Sequence, residues 1–295
     1  MTKIEFCEYD GARIRYAEIP SDWDEMTTPQ VRFVAKRYDA YIQGEISALQ
    51  LNVEILYRLL GIPFRQPRGT DEQKSKTYQN IYALCEKCLT FLFEKEGDGP
   101  MRLTFKSVQN PLPVVRGGKA RTLPLTGPAS LLQNLTFGEF RQASAALNSF
   151  FKSSDMSDLD ECIAFLYRPR AMRPNRAGRK VKPVDAATFE DDVKAVSCID
   201  PWQKTLIMLW FSSCINFLQT GSLRLNGEDV DLALLFSGGS GKGPAFTWND
   251  LLVQIARDQT IGNLDRVDEE PLMSILSIMW ANYKEGKRNE QAQKS

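Results

Sequence analysis

Residues Leu135–Pro169 read LTFGEFRQASAALNSFFKSSDMSDLDECIAFLYRP, and this stretch decides the expected fold. Its apolar residues recur at helical spacing in two runs, which predicts two amphipathic helices packed side by side. Each run has a start signal, because Thr136 stands three positions before Glu139 and Ser157 three positions before Asp160. In such a pair the hydroxyl accepts a hydrogen bond from a free amide, and the carboxylate reaches back to the start of the helix. The stretch therefore predicts a helical hairpin.

The same patterns extend the prediction to the rest of the chain. Apolar stripes with caps, prolines or glycines at their ends predict helices over 29–43, 46–60, about 72–95 and 201–219, with further helices beginning near 250 and 271. Alternation around Asp10-Gly11 predicts a β-hairpin over residues 3–18. Prolines, glycines and short alternation between 97 and 128 indicate one or two short strands and a long ordered loop. The predicted fold is mainly α, a multi-helix domain with a small N-terminal β-hairpin and a minor β segment near 101–125.

These changes in pattern also suggest a domain organisation. Residues 1–97 form an N-terminal hairpin plus helical subdomain, and residues 98–134 form a Pro/Gly-rich connecting segment with short strands. Residues 135–284 form a C-terminal helical subdomain, and residues 285–295 a polar, mobile tail.

Composition limits the kinds of partner. The chain has 295 residues, 43% of them apolar, which is enough for a sizeable core. Lysine plus arginine and aspartate plus glutamate each number 37, so no net field favours nucleic acid or an anionic membrane. The most apolar run, 206–218, is shorter than the roughly 20 residues that cross a bilayer, so we expect a buried core helix and no membrane partner. The N-terminus lacks the pattern of a secretory signal, so we expect a reducing compartment.

Candidate chemical motifs each have a simpler structural interpretation. The glycine-rich run from Phe236 to Lys242 resembles a phosphate-binding loop, but Phe236 occupies the place of the motif's first glycine and Gly243 the place of its hydroxyl residue. Cys85 and Cys88 form one CxxC pair inside a predicted helix, and the chain has no histidine, so a buried apolar role is favoured over metal or redox chemistry.

The absence of histidine also removes the usual general base. The acidic clusters 190–192 and 268–270 are expected at helix starts, where carboxylates meet the helix dipole favourably. We therefore predict a non-enzymatic protein, with no catalytic residue, cofactor or metal site.

The segment RPRAMRPNRAGRKVK, 168–182, is the most strongly charged part of the chain. Its prolines and glycine argue against regular structure. It contains no acid and seven basic residues, which are the candidate interaction residues: Arg168, Arg170, Arg173, Arg176, Arg179, Lys180 and Lys182. Three interpretations stay open, a solvated loop joining two halves of the protein, an arm that docks on an acidic protein, and an arm that contacts nucleic-acid phosphates.

The order of several short motifs resembles a group of phage and prophage proteins of Bacteroidetes-type hosts, placed beside tail assembly chaperones or minor virion proteins. The motifs are IPSDWDEMT at 19–27, LYRLLGIP at 56–63, LTFGEF at 135–140, LYRP at 166–169 and WNDLLVQIARD at 248–258. The resemblance spans nearly the whole chain and implies no catalytic residue, since the motifs are caps, helix stops and aromatic anchors.

The resemblance implies a non-enzymatic phage or prophage structural or assembly protein, such as a tail assembly chaperone or minor tail component. Its expected partners are other phage structural proteins or a second copy of itself, in the host cytoplasm or the virion. The alternative is a nucleic-acid-associated protein that uses the basic segment 168–182.

Overall fold

The structure is a computed structural model, which describes residues 1–7, 14–94, 100–117, 123–236, 248–257 and 263–294. The described chain is mainly α-helical with a few small antiparallel sheets, which confirms the predicted class. It divides into two compact units, one of Met1–Ser107 with Pro201–Leu209 and one of Val108–Asp200 with Trp210–Ser295. This division differs from the predicted boundaries, because it splits the predicted connecting segment 98–134 and groups 201–209 with the first unit.

Unit 1 begins with the predicted β-hairpin. Its elements are β1 (Thr2–Cys7), β2 (Ile14–Ile19), α1 (Thr28–Ile42), α2 (Ala48–Leu60), α3 (Asp71–Cys88), β3 (Phe93–Glu94) and β4 (Arg102–Leu103). Strands β1 and β2 pair in antiparallel register with Thr2 opposite Ile19. The predicted Asp10-Gly11 turn between them lies outside the described residues.

The helices of unit 1 begin and end through local signals in the sequence. The Ser47 hydroxyl accepts a hydrogen bond from the Gln50 amide at 3.2 Å, and Gly61 ends α2 in the left-handed conformation with φ of 71°. Helix α3 ends at Cys88, so the prediction that it continues to about 95 is wrong. Leu89 and Leu92 suggested a longer helix, but both are buried beyond its end, where the chain turns into β3.

Trp23, the aromatic residue of the 19–27 motif, packs against two phenylalanine rings of unit 1. Its ring lies 4.6 Å from that of Phe105 and 6.2 Å from that of Phe91, measured between centroids. The neighbouring Asp24 accepts a hydrogen bond of 2.5 Å from the hydroxyl of Ser107. The motif therefore has a packing role in unit 1.

Unit 2 is built around the predicted helical hairpin. Its first elements are β5 (Val114–Val115), β6 (Leu125–Thr126), α4 (Phe137–Ser153), α5 (Met156–Leu166), β7 (Arg168–Pro169) and α6 (Phe189–Ser197). Helix α7 (Pro201–Thr220) begins in unit 1 and continues into unit 2. The remaining elements are β8 (Ser222–Leu225), β9 (Glu228–Asp231), α8 (Ala233–Phe236), α9 (Trp248–Arg257), α10 (Leu264–Glu269) and α11 (Leu272–Lys294). Strands β4, β5 and β6 confirm the minor β segment near 101–125.

The caps of the helical hairpin agree with the sequence at one helix and differ at the other. Thr136 and Glu139 form the predicted capping box at α4. At α5 the cap is Asp155, whose carboxylate accepts a hydrogen bond from the Ser157 amide at 2.9 Å, so the prediction of Ser157 as cap is wrong. The corner bends through Ser154, which has φ of 58° and places α5 antiparallel beside α4.

The start of α4 lies deep in unit 2 because other segments pack around it. The Phe137 amide donates to the Glu270 carbonyl at 2.8 Å, and the Leu272 amide donates to the Leu135 carbonyl at 2.9 Å. One turn further on, the Phe140 ring lies 4.7 Å from the Trp248 ring. These contacts bury the first turn of α4, including the side chain of Glu139.

Helices α7 and α11 contain the most apolar run of the chain and its C-terminal segment, respectively. Leu206 and Leu218 are fully buried in α7, as expected of a core helix. No helix in the described part of the chain is long and apolar enough to cross a bilayer. Helix α11 continues to Lys294, so most of the segment predicted as a polar, mobile tail is helical.

Gly127 tests the packing beside the helical hairpin. A Cβ atom at this position would overlap the ring of Tyr167, which is 1% exposed and cannot move aside. We expect Gly127→Ala to lower the free energy of unfolding by about 1–3 kcal/mol, measured by urea denaturation. Gly286→Ala is the matched control, since that position in α11 is open and alanine favours a helix by up to about 1 kcal/mol. Equal effects of the two substitutions would contradict this packing.

Candidate interaction surfaces

The basic segment 168–182 is mostly irregular, as its prolines and glycine indicate, but short β-pairing near its two ends joins them to each other and to β6. Strand β7 pairs with β6, placing Arg168 opposite Thr126, and Arg170 forms a β-bridge with Val181. The Lys182 amide donates to the Pro169 carbonyl at 2.9 Å. At the far end Gly178, with φ of 80°, closes a turn that the side chain and backbone of Asn175 stabilise. We call residues 168–182 the basic ribbon.

Two of its seven basic residues are buried against the start of α4. Arg168 is 1% exposed and Arg179 is 2% exposed. Arg168 forms an ion pair with Glu139 through Nη2 and Oε1, and Nη1 of Arg179 lies 3.6 Å from Oε2 of the same carboxylate. Arg179 Nη2 also donates to the Thr126 carbonyl at 2.5 Å and to the Leu166 carbonyl. We call Glu139, Arg168 and Arg179 the arginine cluster.

Burial makes this arrangement electrostatically demanding. Burial, and then the positive charge of Arg179, lower the pKa of Arg168 to about 9, although the negative charge of Asp192 acts in the opposite direction. Burial likewise lowers the pKa of Arg179 to about 10. Nε of each arginine is buried without a hydrogen-bond partner among the described residues. The carboxylate of Glu139 is therefore essential to the cluster, because a buried charge needs a partner.

Two more of the basic residues are held by acidic neighbours. Arg176 pairs with Glu270 at 2.5 Å and with Glu269 at 3.3 Å. Lys182 donates to the Thr188 hydroxyl at 2.9 Å and lies 3.9 Å from Asp192. The cluster 268–270 ends α10 and directly precedes the start of α11, and 190–192 occupies the first turn of α6, so both acidic clusters lie near helix starts as predicted.

Arg170, Arg173 and Lys180 remain available on the surface of the ribbon. All three are exposed, and they form no ion pair with another described residue. Met172 lies between the two arginines and is 97% exposed. Three of the seven predicted interaction residues are thus exposed and outside any ion pair with the described residues, whereas Arg168 and Arg179 are buried.

Of the chemical motifs considered from the sequence, the cysteine pair lies within the described residues, at a buried position in a helix. Cys85 and Cys88 are buried in the last turn of α3, and burial raises the pKa of Cys85 to about 12. The described residues contain no group of three or more acidic or cysteine side chains placed to hold a metal ion. The glycine-rich run after Phe236 lies outside the described residues.

A groove in unit 1 was not anticipated from the sequence. It has a volume of about 590 Å³ and lies between α2, α3 and the segment that joins them. Its floor is Val53 and Ile81, and its walls include four exposed apolar or aromatic side chains, which are Leu49, Phe64, Tyr78 and Tyr82. We call it the α2–α3 groove.

The polar groups around the α2–α3 groove are already engaged. Glu54 is its one charged lining residue, and this carboxylate pairs with Arg37 at 2.5 Å and accepts from Gln50 at 2.8 Å. A hydrogen bond to Glu86, and then the charge of that carboxylate, raise the pKa of Tyr82. The ring of Phe64 is held edge-on against Tyr57 at 5.1 Å. The groove therefore offers an apolar surface with a neutral rim, which suits binding of another apolar surface.

The apolar residues that line the groove are visible in the sequence, but their helical spacing does not distinguish them from core residues. Leu49, Tyr78 and Tyr82 follow the same helical periodicity as the buried residues of α2 and α3, so the pattern places them on the apolar faces of these helices, yet they are about half exposed. Comparisons of the chain with models of protein families, with curated proteins and with solved structures find no match. The interaction surfaces are therefore assigned from geometry.

The arginine cluster can be tested by removing its carboxylate. We expect Glu139→Ala to destabilise the fold by about 3–5 kcal/mol, because it removes the carboxylate that pairs with two buried guanidinium groups. Arg176→Gln is the control, since its partly exposed ion pairs are worth less than about 1 kcal/mol. The measurement is urea denaturation of each variant.

If Glu139→Ala does not fold, a triple variant keeps the prediction testable. Replacing all three members with apolar residues, as Glu139→Leu, Arg168→Met and Arg179→Met, removes the buried charges together and is expected to recover most of the loss. A Glu139→Ala variant as stable as Arg176→Gln would contradict the electrostatic role assigned to the cluster.

Proposed function

We propose that this chain is a non-enzymatic structural or assembly protein of a phage or prophage, such as a tail assembly chaperone or a minor tail component. It acts through contacts with other proteins, in the host cytoplasm or in the virion. Two observations support the proposal, the resemblance of its short motifs to phage proteins and the apolar α2–α3 groove. The groove is the observation that carries it.

The groove supports binding of a protein because of how its apolar side chains are held. Phe64 and Tyr78 rise from different segments but line the same space, and both are more than 40% exposed. A cluster of large exposed apolar side chains is costly in water unless a partner covers it. Aromatic side chains of this kind also contribute most of the binding energy at many protein interfaces.

The chemistry around the groove favours binding over bond making. Its single carboxylate, Glu54, is neutralised by Arg37. The lining residues Ser47, Gln50 and Gln79 are uncharged, so they can form hydrogen bonds at a rim without making a proton transfer site. The described residues that line the groove therefore suit the binding of a partner surface.

The test is particle assembly in the phage or prophage that encodes the protein. We expect deletion of the gene, or the groove variant Leu49→Ser with Tyr82→Ser, to reduce assembled tails at least tenfold, counted by electron microscopy after induction. The reason is that loss of two exposed apolar contacts weakens binding without touching the core.

The matched control is Tyr16→Ser, which removes a 76% exposed aromatic side chain outside the groove and should leave the number of tails unchanged. A normal yield of intact tails after deletion would refute an assembly role. A reduced yield after deletion with normal assembly by the groove variant would refute the groove as its site.

Binding of nucleic acid through the basic ribbon is the second candidate. The observation that favours it is the presence of Arg170, Arg173 and Lys180 on one ribbon, all exposed and without an ion-pair partner among the described residues. Cations in this situation can contact phosphates without giving up an existing bond.

Salt dependence separates this candidate from general charge effects. Three phosphate contacts predict a slope of log K against log salt of about −3, whereas all seven basic residues would give about −6. Replacing Arg170, Arg173 and Lys180 with glutamine should abolish the slope, with Arg176→Gln as a control that should change it little. Binding that is absent at low salt, or that survives the triple substitution, would exclude this candidate.

A further inference from the structure

The corner between α4 and α5 carries a second group of exposed apolar side chains. Phe151 at the end of α4 is 58% exposed, and Met156 at the start of α5 is 48% exposed. The two side chains flank the tight bend at Ser154, so they lie at one exposed corner of unit 2. A pair of exposed apolar side chains of this kind can fill an apolar groove on a partner.

The charges on this corner are mostly negative. Asp155, Asp158 and Glu161 accompany one cation, Lys152, and none of the four is in an ion pair with another described residue. Hydrogen bonds from the backbone and side chain of Ser157 lower the pKa of Asp155, so its carboxylate stays ionised at neutral pH. We call residues 151–161 the acidic corner.

One side of the α2–α3 groove, the segment that joins the two helices, has charge of the opposite sign. The segment 61–70, which carries Phe64 into the groove, contains Arg65 and Arg68 and no acid. Both arginines are exposed, and neither is in an ion pair with another described residue. An occupant with apolar anchors flanked by carboxylates would therefore satisfy both the groove and the arginines next to it.

We propose that the acidic corner of one copy of this chain docks into the α2–α3 groove of a second copy. Phe151 and Met156 enter the apolar groove, and Asp158 and Glu161 face Arg65 and Arg68. The inference rests on the proposed assembly function and specifies its partner as the chain itself.

The two surfaces differ, which determines the kind of assembly. Each copy has one groove and one corner, so the contact is heterologous and leaves a free groove at one end and a free corner at the other. Association can then continue beyond a dimer as the concentration rises, and it should weaken with added salt because the flanking charges are exposed.

Sedimentation velocity over a concentration series tests the contact with two variants. The groove variant is Leu49→Ser with Tyr82→Ser, and the corner variant is Phe151→Ser with Met156→Ser; all four side chains are exposed, so folding is expected to be kept. Each variant alone should be monomeric where the wild type associates, with an apparent dissociation constant raised about tenfold or more.

Mixing the two variants gives the decisive result. The intact corner of the groove variant should dock into the intact groove of the corner variant and stop at a 1:1 dimer, because no other functional surface remains. Met172→Ser is the control, since it removes a 97% exposed methionine outside both surfaces and should associate as the wild type does.

Three results would overturn the proposal: a wild type that stays monomeric at every concentration, association that neither variant alters, and a mixture of the variants that stays monomeric. A monomeric wild type whose groove variant still fails in tail assembly would leave the proposed function standing and assign the groove to another protein. If the wild type self-associates but tails assemble normally without the gene, the contact between copies would stand and the assembly function would be refuted.

Discussion

The structure of unit 2 depends on one buried carboxylate that is shared by two buried guanidinium groups. Glu139 belongs to the first turn of α4, whereas Arg168 and Arg179 belong to the two sides of a ribbon that follows the helical hairpin. Removing either cation from water is unfavourable, and the cost is offset only when the carboxylate and nearby carbonyl oxygens are in place. Because these groups come from separate segments, the ribbon and the helix can be stable only together.

This constraint changes what the basic segment can do. A string of seven cations and no acids indicates a mobile arm, yet folding commits four of them to contacts inside the molecule. The positive charge left at the surface is small and carried by Arg170, Arg173 and Lys180. The most prominent apolar sites lie elsewhere, at the α2–α3 groove and the acidic corner, and for this reason we place the interaction role there.

Much of the fold could be predicted because its signals are local. The capping box of Thr136 and Glu139, the left-handed Gly61 and the proline of α7 each act within one helical turn, so the sequence alone determines them. The errors occur where distant packing overrides a local pattern. The apolar stripe of α3 continues past Cys88, but Leu89 and Leu92 are buried in a turn instead of a longer helix.

The sites were harder to predict than the helices, for two physical reasons. Whether an arginine is solvated or buried depends on the position of a carboxylate 29 or 40 residues away, as with Glu139 and its two partners, and spacing carries no information about that contact. Similarly, Tyr82 has the same helical phase as buried residues, and only the tertiary arrangement leaves it exposed. Sequence periodicity identifies apolar faces but not which of them remain uncovered.

Native-state hydrogen exchange of the wild-type protein tests the central claim most directly, because it reports whether the basic ribbon is part of the folded unit. The amides of Ala171, Arg179 and Lys182 each donate to a partner within the ribbon. If the arginine cluster fixes the ribbon to α4, these amides should be as protected as those in the middle of α4 and exchange only when the unit unfolds. Exchange at the rate of an unstructured peptide, with α4 still protected, would contradict the account.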